Sequence, residues 1–111
     1  MNAMNQKGLR IVIVGCGKVG NTITEQLVKE GHNITMIDQN ADRIAESTGL
    51  FDVMGVVGNG ASHLVQAEAG VTEADLFIAV TDSDVCRSIE GMLTDKGIAK
   101  QCIHYYDRGL V

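Results

Sequence analysis

Gly15-Cys16-Gly17-Lys18-Val19-Gly20 sets three glycines at GxGxxG spacing, directly after a largely apolar run from Leu9 to Val14. Each glycine meets a separate demand. Gly15 permits a tight turn, Gly17 lets a phosphate approach the backbone, and Gly20 lets the following helix pack closely on the strand. Cys16, Lys18 and Val19 fill the positions between them. The amides of a helix that opens here, and the positive end of its dipole, would meet phosphate charge. A second chemical group, Asp38, stands at the end of the next apolar segment, about 20 residues on, where a carboxylate accepts both hydroxyls of a ribose.

Together these residues predict a turn that binds an adenine nucleotide through its phosphates and ribose. A carboxylate at 38 repels a 2′-phosphate, and the next residues, Gln39 and Asn40, supply no cation, although Arg43 is one helical turn away. NAD(H) is therefore favoured over NADP(H), while ATP or ADP offers the same ribose and stays open as a ligand. The spacing from Gly15 to Gly20 also approaches that of a P-loop. Asn21, however, stands where the phosphate-reaching lysine is needed, and Lys18 is placed inside the loop, so a P-loop NTPase is not expected.

The other reactive side chains form no comparable pattern. Cys16 lies at a helix N-terminus, which favours a thiolate, but a small residue filling a tight turn is the simpler role. Asp82 and Asp84 lack a nearby third ligand, so no metal site is expected, and Asp82 or Ser83 is read as a helix cap. His32 reads as a turn residue at a helix C-terminus. His63 and His104 have no nucleophile or carboxylate partner in sequence, and no catalytic residue is assigned.

The glycine turn needs a strand before it and a helix after it, and the chain supplies both. Val19, Ile23 and Leu27 recur on one helical face, and Gly31 suits a left-handed helix end. Ile34–Ile37 is a second strand, Ala41–Ser47 a helix and Val53–Val57 a third strand. Gly58-Asn59-Gly60 forms a loop before a helix over Ala61–Ala69, which carries Leu64 and Val65. Leu76–Val80 is a fourth strand. Val85, Ile89, Met92 and Leu93 have helical spacing, and Gln101–Tyr106 reads as a last strand. Strands alternating with helix-sized segments predict right-handed βαβ units. The fold expected is a doubly wound, Rossmann-like α/β parallel sheet in the order 3-2-1-4-5, forming a single domain over 9–111 after an N-terminal extension at 1–8.

Composition agrees with one such domain. The chain has 111 residues, 45% of them hydrophobic, with thirteen glycines, no proline and few aromatics. Such a core must be aliphatic, as in buried parallel strands. Nine basic against fourteen acidic residues give a net charge of −5, and no basic cluster is present, so nucleic acid is not an expected partner. Three cysteines without a CxxC suit reduced thiols. No apolar stretch approaches the roughly 20 residues of a membrane span.

Beyond the glycine turn, three segments are more specific. Glu30 to Asp38 (EGHNITMID), Val57 to Gly60 (VGNG) and Ala74 to Asp84 (ADLFIAVTDSD) closely resemble the N-terminal RCK/KTN (TrkA-N) nucleotide-binding domain of the Trk/Ktr potassium-uptake regulators. The resemblance covers roughly the first 84 residues. It implies a cytoplasmic ligand-sensing domain, peripheral to the inner face of the membrane, that binds NAD(H), ATP or ADP. It also implies homo-oligomers, dimers building a ring, on a membrane potassium channel or transporter. On this resemblance Gly15, Gly17 and Gly20 would hold phosphate and Asp38 the adenine ribose. Gly58, Asn59 and Gly60 would flank adenine, while Thr81 and Asp82 would line the crevice beyond the fourth strand. After Asp84 the chain departs from the family pattern, with Val85–Glu90 and Tyr105–Gly109 in place of its usual segments, so 84–111 is atypical.

The competing expectation is a cofactor-binding fragment of an NAD-dependent oxidoreductase. That chemistry needs a substrate site and a proton donor beside the nicotinamide. Neither Tyr105 nor Tyr106 has a lysine four residues later, and 111 residues leave no room for a second domain, so a non-enzymatic regulatory module is expected.

Overall fold

The computed structural model describes residues 8–80 and 100–103. The elements are β1 (Arg10–Val14), α1 (Lys18–Lys29), β2 (Asn33–Asp38), α2 (Ala41–Leu50), β3 (Met54–Val57), α3 (His63–Glu68), β4 (Leu76–Val80) and β5 (Lys100–Ile103), with a 3-10 turn at Val71–Glu73 before β4. The five strands form one sheet in the order β3-β2-β1-β4-β5, and every pairing is parallel. This is the doubly wound topology expected. Its order reverses beside β1, so the glycine turn at the end of that strand lies at the switch point where such sheets bind ligands.

β1 reads as an unbroken apolar run because both of its faces are covered. Ile11 and Ile13 join Ile34, Met36, Ile44 and Ile78 on one side, with Ile23, Leu27 and Val28 of α1 packed against them. Val12 and Val14 join Ile37, Val56, Val71, Phe77 and Ala79 on the other, against Val65. Burying each aliphatic side chain contributes about 1.5–3 kcal/mol.

Several elements differ in detail from the periodicity. On α1 the buried residues are Gly20 and Thr24, and the Thr24 hydroxyl donates to Met36 Sδ at 3.7 Å. Helix and strand approach too closely there for a bulky side chain, so Ile23 and Leu27 pack at the flanks while Val19 joins neither core cluster. Lys18 begins α1 instead of lying within the turn, because Gly17 is the N-cap. α2 runs three residues past Ser47 to Leu50, and Thr48 returns its hydroxyl to the Ile44 carbonyl at 2.9 Å.

The helix expected over 61–69 is shorter, spanning His63–Glu68 with Ser62 as N-cap. Asn59 Oδ1 accepts the Ala61 N–H at 2.9 Å, which holds the start of that segment in a turn. Leu64 is 82% exposed and Gln66 is fully buried, the reverse of their polarities. Gln66 is inside because its Nε2 donates to the Gly60 carbonyl at 2.9 Å.

Gly31 has φ +90° and ends α1 as expected. His32 then takes the Leu9 N–H on Nδ1 at 3.0 Å, with Nε2 3.6 Å from Glu30. The ring so ties the α1–β2 turn to the entry of β1. The helix read from Val85 to Leu93, the cap at Asp82 or Ser83 and residues 104–106 of the last strand lie outside the described residues.

Candidate functional site

At the carboxyl ends of β1, β2 and β3 a crevice of about 240 Å³ is lined by Val14, Gly15, Ile37, Asp38, Gln39, Gly58, Asn59 and Gly60. Six of these were read from the sequence as site residues. Two backbone bonds hold its walls, from Gly15 N–H to the Ile37 carbonyl at 2.8 Å and from Gly58 N–H to the Asp38 carbonyl at 2.9 Å. Gly60 packs against Val14, where a Cβ would lie 2.8 Å from both valine methyls. A larger cleft of about 550 Å³ lies at the opposite end of the strands, away from the glycine turn.

The three glycines occupy three distinct environments. Gly15 has φ +111°, a left-handed conformation that side chains resist. A Cβ on Gly20 would collide with the Gly15 carbonyl oxygen, whereas one on Gly17 would meet nothing within 4 Å among the described residues. The motif therefore leaves open space at the N-terminus of α1. That terminus has no side-chain cap and no acidic residue in its first turn. By contrast α2 is capped by Asn40 and α3 by Ser62. Among the described residues, the leading amides of α1 thus stay available to an anion.

Asp38 ends β2 facing the same turn. Its Oδ2 accepts the Cys16 N–H at 2.9 Å and its Oδ1 the Asn40 N–H at 2.8 Å. One charge-assisted bond on each oxygen fixes the carboxylate while leaving a lone pair on each for further donors. Asn40 Oδ1 in turn caps α2 through the Asp42 and Arg43 N–H groups at 2.9 and 3.2 Å.

Cys16 contributes its amide here and turns its thiol inward, with 3% exposure. Burial first, and then the Asp38 charge, push the thiol up from 9.0 to about 11, against opposing effects of Ser47 and Arg43. Because the folded protein holds this proton more tightly than the unfolded chain, stability falls as pH rises from 9 towards 11. At pH 8 the Cys16 peptide is expected to alkylate about a hundredfold more slowly in the native protein than in denaturant, as read by mass spectrometry. Equal rates would show the thiol to be accessible.

Lys18 is exposed, Val19 half-buried and Gln39 exposed at the crevice rim. Thr81 and Asp82 lie outside the described residues, as do Asp84 and His104. Among the described residues no group of three His, Cys, Asp or Glu side chains is placed to hold a metal. Sequence reading missed Ser47 and Gln66. Ser47 had a signal, since it follows Ile44 by three residues on α2, whereas nothing local marks Gln66 as buried.

The TrkA-N domain signature matches residues 11–103. The chain belongs to the TrkA-N domain family. The match extends past Asp84, where the resemblance was read to end. A Trk system potassium uptake protein TrkA from Vibrio alginolyticus is 42% identical over 76 residues, 68% of this chain and 17% of that protein. A TrkA homolog from Archaeoglobus fulgidus is 35% identical over 109 residues, 93% of this chain and 24% of that protein. The chain thus spans about a fifth of these relatives' length. The TrkA-N domain of inner membrane protein ybaL from Escherichia coli superposes with a TM-score of 0.80 at 22% identity, over 92% of this chain and 77% of that one, which is a likeness of fold.

Proposed function

We propose that this TrkA-N domain binds NAD(H), or another adenine nucleotide, in the switch-point crevice and regulates a membrane potassium transporter or channel by doing so. The observation that carries the nucleotide reading is the uncapped N-terminus of α1, open at Gly17, beside a carboxylate fixed for a ribose. Gly15, Gly17 and Gly20, with the amides of Lys18 and Val19, would form the phosphate turn, within which Cys16 ties its own amide to Asp38. Asp38 and Gln39 would take the ribose side, and Gly58, Asn59 and Gly60 the adenine wall. Thr81 and Asp82 belong to the same proposal on the far side of β4.

The potassium reading rests on relatives named as potassium uptake proteins. Among the described residues no helix is long and apolar enough to cross a membrane. We place the domain at the cytoplasmic face, as a homo-oligomer acting on a separate membrane subunit and not as an enzyme. Regulation then requires the nucleotide to bind two assembly states with different affinities.

A thermal-shift panel with NAD⁺, NADH, NADP⁺, ATP and ADP tests the first half. A ligand at about 100 times its Kd adds about 2.7 kcal/mol, which raises the melting midpoint on the order of 10 °C. NAD⁺ is expected to raise it more than NADP⁺, and no shift with any nucleotide would sink the proposal. The second half is tested by substituting this chain for the matching domain of a TrkA relative. Potassium uptake in such cells should respond to the nucleotide found in the panel.

A further inference from the structure

α2 buries two side chains, Ile44 and Ser47, and Ser47 is fully excluded from solvent. Its hydroxyl donates to Asn21 Oδ1 at 2.8 Å, across 26 residues of sequence. Asn21 N–H is itself bonded to the Gly17 carbonyl at 2.9 Å. One buried hydroxyl therefore holds the side chain of the residue whose N–H holds the Gly17 carbonyl. Burying a hydroxyl costs free energy unless it is hydrogen-bonded, and alanine would fill much of the same space without that cost. The bond to Asn21 is thus the physical reason for a polar residue here. The same helix hangs at its other end from Asp38, through Asn40.

We propose that Ser47 is a positioning residue for the phosphate turn. Its hydroxyl holds Asn21 on the first turn of α1, which keeps the leading amides of α1 at the spacing a phosphate requires. Ser47 touches no ligand itself and acts through Asn21 and the turn. The inference rests on the nucleotide reading above.

The test is a double-mutant cycle of Ser47→Ala and Asn21→Ala, with NADH and ADP as probes in calorimetric titration and melting midpoints recorded in parallel. Each single variant is expected to weaken binding about tenfold. The double variant should bind no worse than either single one, since both remove the same link. Ser47→Thr, which keeps the hydroxyl, should restore affinity. Lower melting midpoints with Kd values within about twofold of wild type would make Ser47 a packing residue and overturn the proposal, as would independent, additive losses. Where Ser47→Ala does not fold, Asn21→Ala alone decides, because Asn21 is only partly buried. Unchanged affinity in that variant overturns the proposal and a tenfold loss supports it. Wild-type protein that binds neither probe would instead remove the nucleotide reading, and this inference with it.

Discussion

Gly20→Ala is expected to cost about 3 kcal/mol or more and to lower the melting midpoint by on the order of 10 °C, whereas Gly17→Ala leaves both nearly unchanged. The added Cβ at Gly20 would overlap the Gly15 carbonyl oxygen, and both are backbone, so no rotamer change relieves the clash. α1 must move away from β1, which loosens Ile23, Leu27 and Val28 on Ile11 and Ile13. Against a total stability of about 5–15 kcal/mol such a loss is large. At Gly17 the backbone sits at φ −78°, ψ −166°, open to alanine, and no atom of the described residues lies within 4 Å of the new methyl. Its stability should change by less than about 0.5 kcal/mol. The methyl nonetheless fills the space proposed for a phosphate, and losing the charge-assisted amide bonds there should weaken NADH or ADP binding about 10- to 100-fold. Chemical denaturation and titration of the two variants check the pair. Wild-type affinity in Gly17→Ala would show that no phosphate rests on this turn.

Asp38→Asn has the second large effect, and it falls on selectivity as well as affinity. The carboxylate accepts one backbone N–H on each oxygen. An amide can accept on one side alone and points its NH₂ at the other N–H, so a stability loss of about 1–3 kcal/mol is expected. NAD⁺ affinity should fall at least about tenfold as a ribose contact is lost. NADP⁺ affinity should change much less, because the variant also removes the charge that repels a 2′-phosphate. Titration of both cofactors into both proteins gives the NAD⁺/NADP⁺ preference directly. A preference equal to that of wild type would refute a ribose-facing role for Asp38.

Much of the fold was legible because its signals are local. The apolar strands Ile11–Val14 and Leu76–Val80, the left-handed Gly31 and the GxGxxG turn each depend on residues within one element or its border. Parallel order then follows from alternation of strand and helix, since right-handed crossovers leave few topologies. For the same reason the crevice could be placed at the end of β1 before any contact was seen.

The errors fall where a residue's fate depends on a distant neighbour. Leu64, apolar and carried on the helix read over 61–69, is exposed, because α3 is a turn and a half long and gives its inward positions to Val65 and Gln66. Gln66 is buried by virtue of the Gly60 carbonyl, and Ser47 by virtue of Asn21. The bond that orients Asp38 joins it to Cys16 across 22 residues. Composition, periodicity and motif spacing thus settled the sheet, its order and the glycine turn, since each is written in short-range steric preference. Which polar side chains are buried, and which atoms hold the Asp38 carboxylate, depended on packing that brings distant segments to hydrogen-bond distance. A linear sequence states the donors and acceptors, and folding alone pairs them.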